Sequence, residues 1–257
     1  MINTNFTEAE NPDFAKPFLA DSALYSNVFL LDCIKGMKRY PDNFFDLAIV
    51  DPPYGINATN MQMGTQKTRT KDGYAGISTA KKIKGRLNSG SGKLKNRLLN
   101  KSVIDWDNET PTKEYFDKLF RVSKNQIIWG GNYFDLPPSR GFIIWNKNQP
   151  WDNFSQAEFA WTSFNSPAKL FTYSNRGGNN EETKIHPTQK PVHLYDYCFK
   201  HFAIEGMKIL DTHLGSGSSR ISANKAKLNF VGFETNGNFL DDHNKRYGNY
   251  KSQFRLF

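Results

Sequence analysis

The residues Asp51-Pro52-Pro53-Tyr54 combine a carboxylate, a rigid turn and an aromatic ring within four positions. They follow an apolar run, residues 47–50, which is typical of a buried parallel strand. The two prolines end that strand because neither can donate to a sheet ladder and both fix φ. The turn is therefore predicted to lie at the carboxyl end of a strand, where open α/β sheets bind their ligands.

Such a turn suits an exocyclic amine on a flat ring. The Asp51 carboxylate and a backbone carbonyl outside the sheet can accept two N–H bonds, while Tyr54 stacks on the ring. The same four residues also fit an ordinary surface turn, so the motif alone leaves both interpretations open.

A second set of candidate residues begins at Asp211, directly after an apolar run at 207–210. Gly215 and Gly217 allow a backbone to approach a nucleotide closely at the start of a helix. Glu234 ends the next predicted strand, where dinucleotide folds place the carboxylate that binds ribose hydroxyls. The third glycine of an NAD site is missing, so S-adenosylmethionine, which has a ribose and no pyrophosphate, fits better. An ordinary strand-to-helix turn is the alternative.

The run His186-Pro187-Thr188-Gln189-Lys190-Pro191 also has two interpretations. It fits a proline-bounded helix start with Thr188 as the cap. It also fits a binding segment in which Lys190 meets an anionic group, such as the carboxylate of a methionine moiety.

The positive charge of the chain is concentrated in one segment, residues 59–104. The 257 residues carry a formal charge of +9, and this segment alone holds eleven basic residues against one acid, Asp72. Such a concentration indicates a polyanionic partner, and the lack of apolar periodicity predicts mobility in the free protein. The basic residues predicted to bind DNA are Lys67, Arg69, Lys81, Lys82, Lys84, Arg86, Lys93, Lys95 and Arg97.

Several protein classes are disfavoured by composition. No stretch approaches the roughly 18 apolar residues of a membrane span, and the N-terminus lacks a signal-peptide pattern. Cys33 and Cys198 form no close-spaced pair, which predicts reduced thiols in a cytoplasmic protein. The five histidines show no metal-ligand spacing, so no metal site is expected.

The order of the elements predicts a single α/β domain, residues 1–257, with a loosely attached tail at 1–20 and the basic insertion at 59–104. Two runs, 158–164 and 169–173, are predicted to pair antiparallel around the turn at 165–167. Strands are predicted at 26–31, 45–50, 126–129, 141–145, 158–164, 169–173, 207–210 and 230–233, and helices at 32–40, 110–122, 192–201 and 219–226.

In motif content and order the chain resembles the amino-methyltransferases of DNA, specifically the β group, in which the catalytic motif precedes the cofactor motif. Residues 51–54 resemble its motif IV, 129–133 its motif VI region and 145–147 its motif VII. Residues 186–191 resemble motif X, residues 211–218 with Glu234 resemble motifs I and II, and Asp32 stands where the motif III acid is expected. The resemblance extends over residues 26–245.

The resemblance implies a single Rossmann-like, S-adenosylmethionine-dependent methyltransferase domain with a circularly permuted motif order. Its sheet would be mostly parallel, with an antiparallel hairpin element toward the C-terminus. The catalytic residues it implies are Asp51, Pro52, Pro53 and Tyr54. The cofactor-binding residues it implies are Asp32, Cys33, Asp51, His186, Thr188, Lys190, Asp211, Gly215, Ser216, Gly217, Ser218 and Glu234.

The activity implied is site-specific methylation of the N6 amine of adenine, flipped out of duplex DNA. Asp51 and the Pro52 carbonyl would accept the two amine hydrogens, and Tyr54 would stack on the base. Aspartate at position 51 favours adenine, because cytosine-modifying members more often carry serine there and glutamine-modifying relatives carry asparagine. N4-cytosine, RNA or a protein amide as substrate, and a non-catalytic nucleic-acid-binding protein, are the alternatives.

One departure concerns sequence recognition. The family usually carries a sizeable recognition region before motif X, whereas only residues 173–185 are available here. Recognition is therefore predicted in the basic insertion and around residues 145–161. The partner implied is double-stranded DNA in the cytoplasm, with a bacterial or phage-encoded protein and no membrane. A cognate restriction endonuclease and a homodimer are left open.

Overall fold

The computed structural model describes residues 24–56, 107–149, 155–174, 185–186 and 188–253, together with the backbone of 67–70 and 73–77. The strands within these residues are β1 (Ser26–Leu30), β2 (Phe45–Val50), β3 (Lys67–Thr70), β4 (Gly73–Ile77), β5 (Ser123–Trp129), β6 (Phe142–Asn146), β7 (Ala157–Thr162), β8 (Lys169–Thr172), β9 (Lys208–Asp211) and β10 (Asn229–Glu234). The helices are α1 (Cys33–Met37), α2 (Lys113–Val122), α3 (Val192–Phe202), α4 (Ser218–Lys225) and α5 (Gly237–Gln253), with a 3₁₀ turn at Gly131–Tyr133.

Eight of the described strands form one sheet in the order β1-β10-β9-β2-β5-β7-β6-β8. Neighbouring strands are parallel except around β7, which runs antiparallel to both β5 and β6. The central pair, β9 and β2, lies at the point where the strand order reverses: β10 follows β9 on one side, and β5 follows β2 on the other among the strands of this sheet. The loops after β9 and β2 therefore diverge and leave a crevice at their carboxyl ends.

Helices cover both faces of the sheet, as the alternation of elements predicts. Along β2, Ala48 and Val50 pack in one cluster with Leu119 of α2. Leu47 and Ile49 point to the opposite face and pack in a second cluster with Leu194 of α3. Because both faces of β2 are covered, its sequence is continuously apolar rather than alternating.

The predicted antiparallel pair at 158–164 and 169–173 is wrong. β6 lies between β7 and β8, pairing antiparallel with β7 and parallel with β8. Residues 163–168 therefore cross over β6 rather than forming a tight hairpin turn. The antiparallel part of the sheet is thus β5, β7 and β6, in the middle of the chain.

Two features were not predicted. The long helix α5 is mostly polar, and it packs through Phe239, His243 and Tyr247 at a spacing of four residues. The antiparallel hairpin of β3 and β4 lies inside the segment for which mobility was predicted. The predicted tail at 1–20 lies outside the described residues, as does much of the basic insertion. In the described parts of the chain no helix is long and apolar enough to cross a membrane.

Candidate active site

The Asp51 turn is held in place by a side chain that sequence reasoning missed, Asp107. β2 ends at Val50, and the Asp107 Oδ1 atom accepts the backbone N–H groups of Tyr54 at 2.7 Å and Gly55 at 3.1 Å. Asp107 is itself buried. Pro52 and Pro53 have no N–H to donate, so the N–H groups of Tyr54 and Gly55 provide the hydrogen bonds through which Asp107 holds the turn.

Asp51 lies in a network of buried charges. Its Oδ2 is 2.5 Å from the Lys190 Nζ, and the same ammonium is 3.1 Å from Glu158 Oε2. Glu158 Oε1 is in turn 2.5 Å from the Lys147 Nζ. The Tyr54 hydroxyl donates to Asp51 Oδ1 at 2.6 Å and accepts from Lys190 at 3.2 Å. We call Asp51, Lys190, Glu158 and Lys147 the charge quartet.

The quartet shifts the ionisation of its members. Burial raises the pKa of Asp51; Lys190 opposes this shift, and Glu158 adds to it. Although burial opposes it, the ammonium groups of Lys190 and Lys147 lower the pKa of Glu158 to about 2. Burial likewise works against the charge of Lys190, but the two carboxylates outweigh it and raise its pKa. Glu158 and Lys190 are therefore both charged at neutral pH.

Lys190 has partners other than the methionine carboxylate expected from the sequence. Its side chain is only 5% exposed, and its ammonium is directed at Asp51 and Glu158. Glu158 lies on β7 and Lys147 directly follows β6. Both lie in the region 145–161 predicted for recognition, and Lys147 belongs to the run that resembles motif VII, but neither was a predicted catalytic or cofactor-binding residue. Their contact with the catalytic turn depends on which strands are neighbours, which no local pattern marks.

The Tyr54 ring is closely surrounded. Tyr133 stacks on it with ring centroids 5.0 Å apart and an interplanar angle of 15°. Phe134 meets it edge-on at 6.2 Å. Gly130 lies against the ring, since a Cβ at this position would come 2.2 Å from Tyr54 Cε1. The ring face predicted to receive a base thus has an aromatic neighbour, Tyr133, that is 44% exposed.

A cavity of about 390 Å³ opens beside the turn, at the carboxyl ends of β2 and β9. Of the sequence-predicted cofactor residues, those in its wall are Asp32, Cys33, Asp51, His186, Thr188, Lys190, Gly215, Ser216, Ser218 and Glu234. Pro53 from the catalytic turn also lines it. Residues from opposite ends of the sequence therefore share one cavity, as strand order requires.

The floor of this cavity is built by the glycine turn after β9. The backbone N–H of Gly215 donates to Glu234 Oε2 at 3.0 Å, and the N–H groups of Thr235 and Asn236 donate to Oε1. The Ser218 hydroxyl donates to the Lys190 carbonyl at 2.7 Å, which joins the turn to the segment before α3. These bonds fix the two halves of the wall relative to each other.

Two predicted cofactor residues, Asp211 and Gly217, lie outside the cavity wall. Asp211 is buried below it, where it accepts from the Ser219 hydroxyl at 2.5 Å and the His213 N–H at 3.1 Å, and burial raises its pKa to about 7. Gly217 has φ +72°, and a Cβ there would come 1.7 Å from His243 Nδ1. Both residues stabilise the shape of the glycine turn after β9, and other residues of that turn line the cavity.

The histidines near the cavity are neutral at pH 7. Burial lowers the pKa of both His186 and His213 to about 4, with Lys190 adding to the shift at His186. Burial raises the pKa of Cys33 to about 12, so its thiol stays protonated. Among the described residues of the wall, Lys190 is therefore the cationic group, beside the carboxyl groups of Asp32, Asp51 and Glu234. Among the described residues no cluster of three or more histidines, cysteines and acids could hold a metal ion.

The residues predicted to bind DNA are mostly outside the described chain. Lys67 and Arg69 belong to β3, of which the backbone is described. The other seven, Lys81, Lys82, Lys84, Arg86, Lys93, Lys95 and Arg97, lie outside the described residues. Their contact with DNA stays a prediction.

Glu234→Gln is expected to weaken binding of S-adenosylmethionine about ten- to a hundredfold, because a charged hydrogen bond contributes roughly 1.5–3 kcal/mol. Glutamine keeps the size of the side chain but accepts backbone N–H groups through one oxygen instead of two, so the loss reports on the carboxylate as a whole. Isothermal titration calorimetry on the purified variant measures it. Glu205→Gln, an exposed carboxylate paired with Lys227, is the matched control and should bind normally. Unchanged affinity in Glu234→Gln would contradict the assignment of this residue.

The chain is similar to known DNA-modifying proteins. Residues 145–245 match the family model described as DNA methylase, N6_N4_Mtase. The type II methyltransferase M2.MboI of Moraxella bovis is 23% identical over 262 residues, covering 90% of this chain and 91% of that protein.

Two solved structures are similar to the chain. PvuII DNA methyltransferase (cytosine-N4-specific) has a TM-score of 0.53 at 12% identity, covering 90% of this chain and 93% of that chain, which shows the fold. The M1.HpyAVI–SAM complex has a TM-score of 0.49 at 18% identity, covering 85% of this chain and 97% of that chain. The chain is thus similar to the DNA methylase family model over residues 145–245 and to a type II methyltransferase over 90% of its length.

Proposed function

We propose that this protein transfers a methyl group from S-adenosylmethionine to the N6 amine of adenine at a short sequence in duplex DNA. One observation carries the proposal: Asp51 and Pro53 line the same cavity as Gly215 and Glu234. An acceptor for an amine and a wall suited to a nucleoside are therefore neighbours. A methyl donor in the cavity would lie beside the amine that Asp51 binds.

The cavity residues fit the proposed cofactor. Glu234 and Asp32 offer carboxylate oxygens for ribose hydroxyls, and Phe233 and Phe239 offer apolar surface for an adenine ring. Asp32 also caps α1 by accepting from the Lys35 N–H at 3.0 Å, which fixes the direction of its carboxylate. When bound, the cofactor supplies a methyl group already activated on a sulfonium.

The task of the protein is then to position and orient the amine. Both Asp51 oxygens already have partners, the Tyr54 hydroxyl and the Lys190 ammonium. A carboxylate has about four lone-pair positions, so each oxygen can still accept an N–H from the amine. Two existing bonds hold the carboxylate in one orientation, which lowers the cost of aligning the amine. Its negative charge stabilises the positive charge that develops on the nitrogen during transfer.

The base must leave the duplex to reach this site. Tyr54 would stack on it, which requires the Tyr133 ring to move from its present position. Tyr133 is nearly half exposed, and an aromatic pair contributes roughly 0.5–1.5 kcal/mol beyond its buried area. Base stacking on an aromatic ring contributes roughly 1–3 kcal/mol and can replace the lost pair. The basic insertion at 59–104 would supply phosphate contacts for the flanking DNA.

The expected product is N6-methyladenine at one short sequence. Aspartate rather than serine at position 51 supports adenine over cytosine. Nucleoside mass spectrometry and long-read modification mapping of DNA from a methylation-deficient host expressing the protein test this. The matched control is the same host expressing Asp51→Ala. N4-methylcytosine as the only product would overturn the adenine assignment while leaving the methyltransferase assignment intact. Unmodified DNA, with pure protein that is folded and binds the cofactor, would overturn the proposed activity.

A further inference from the structure

Lys190 creates an electrostatic difficulty at the proposed reaction centre. Its ammonium is 2.5 Å from Asp51 Oδ2 and fixes that carboxylate. The same positive charge offsets the negative charge that should stabilise the cationic nitrogen of the transition state. With Asp51 and Lys190 alone, the reacting amine would face a neutral pair.

Glu158 removes this difficulty. Its Oε2 is 3.1 Å from the Lys190 Nζ, so two carboxylates share one ammonium and the three groups together carry a net negative charge. Oε2 is buried, and its contact with the Lys190 ammonium is a buried ion pair. Lys147 lies on the far side of Glu158, 2.5 Å from Oε1. It neutralises the quartet as a whole without touching Asp51.

We propose that Glu158 is a positioning residue for methyl transfer, holding Lys190 against Asp51 while keeping the charge around the reacting amine negative. This inference rests on the proposed function. Glu158 does not line the cavity, and it acts through Lys190. Lys147 then serves to keep Glu158 ionised and buried.

The role of Glu158 predicts a specific effect on the ionisation of Asp51. The charged or titratable groups that face Asp51 come from five places in the fold besides its own turn: Lys190 from the segment that leads into α3, Tyr195 from α3, Glu158 from β7, Asp211 from β9 and Tyr115 from α2. Tyr54 faces it from its own turn. Lys147 and Lys190 face Glu158, and His186 is near Lys190. Glu158 is the negative neighbour that shares Lys190 with Asp51, so its removal should lower the pKa of Asp51. The acid limb of the pH–rate profile should then move to lower pH, while the maximal rate falls.

Three variants separate charge from shape. Glu158→Gln keeps the side-chain length and should lower kcat about a hundredfold, since the remaining quartet becomes net positive. Glu158→Asp keeps the charge and should recover most of that loss. The double variant Glu158→Gln/Lys147→Met restores the balance of charge and should be about tenfold faster than Glu158→Gln. Each buried charge that remains keeps a partner, since Lys190 still pairs with Asp51, so the double variant is expected to fold even where the single variant does not.

The assay is transfer of radiolabelled methyl groups from S-adenosylmethionine to genomic DNA of a methylation-deficient strain, measured between pH 5 and pH 9. A kcat of Glu158→Gln within threefold of the parent would overturn the inference. A double variant no faster than Glu158→Gln would also overturn it. Carboxyl ¹³C NMR titration of Asp51 in the parent and in the double variant provides a readout independent of activity. An Asp51 pKa that does not fall in the double variant would overturn the inference even if the parent methylates nothing. If the parent methylates DNA and the Glu158 variants keep the parental rate, the inference fails but the proposed function stands.

Discussion

Asp51→Ala is expected to lower the rate of methyl transfer by about 10²- to 10³-fold, the effect of losing one preorganised group at a reacting centre. The loss is larger than that of a single hydrogen bond because Asp51 also anchors the Tyr54 hydroxyl and the Lys190 ammonium. Single-turnover transfer with saturating cofactor and DNA isolates the chemical step. Cofactor affinity should change much less, since Glu234 and the glycine turn stay in place.

Two further variants test the origin of that loss. Asp51→Asn keeps the size of the side chain but loses its charge, and it should be impaired nearly as much as alanine. Asp117→Ala removes an exposed carboxylate of α2 paired with Lys113, and it should leave transfer unchanged. Transfer by Asp51→Ala within about tenfold of the parent would show that Asp51 is not the amine acceptor.

Gly130→Ala is expected to reduce transfer by at least about 10²-fold, the size of effect that a displacement near 1 Å produces at a reacting centre. The new Cβ would come 2.2 Å from Tyr54 Cε1 and must push that ring, with its hydroxyl, away from Asp51. Gly130 also has φ +70°, so alanine adds roughly 1–2 kcal/mol of backbone strain. Kinetics together with chemical denaturation measure the two effects separately.

Gly206→Ala is the matched control for backbone strain. Gly206 also has a left-handed φ, +86°, but a Cβ there would meet nothing within 4 Å. It should lose a similar free energy of unfolding from strain alone and keep the parental rate of transfer. If Gly130→Ala were as active as Gly206→Ala, the position of the Tyr54 ring would not matter for catalysis.

The sequence predicted where the strands and helices begin and end more accurately than it predicted which strands pair in the sheet. The strand at Phe45–Val50 and the helix at Val192–Phe202 were predicted within one residue, because apolar runs and proline boundaries are local signals. The pairing of β7 with β8 was wrong because neighbouring runs in sequence suggest a hairpin, whereas β6 binds both strands. Helix α5 was missed because few of its residues are apolar, and it packs through aromatic rings and His243.

The sequence by itself determined where the candidate site lies. A carboxylate turn after one strand, and a glycine turn with Glu234 after two others, are local patterns that place ligands at strand ends. These residues do line one cavity. Tertiary structure alone decided how Asp51 is charged and held. Lys190, Glu158 and Lys147 reach it from the segment before α3, from β7 and from the end of β6. Their effect depends on distances of a few ångströms across a low-dielectric interior, and those distances are set by strand order, which no local pattern encodes.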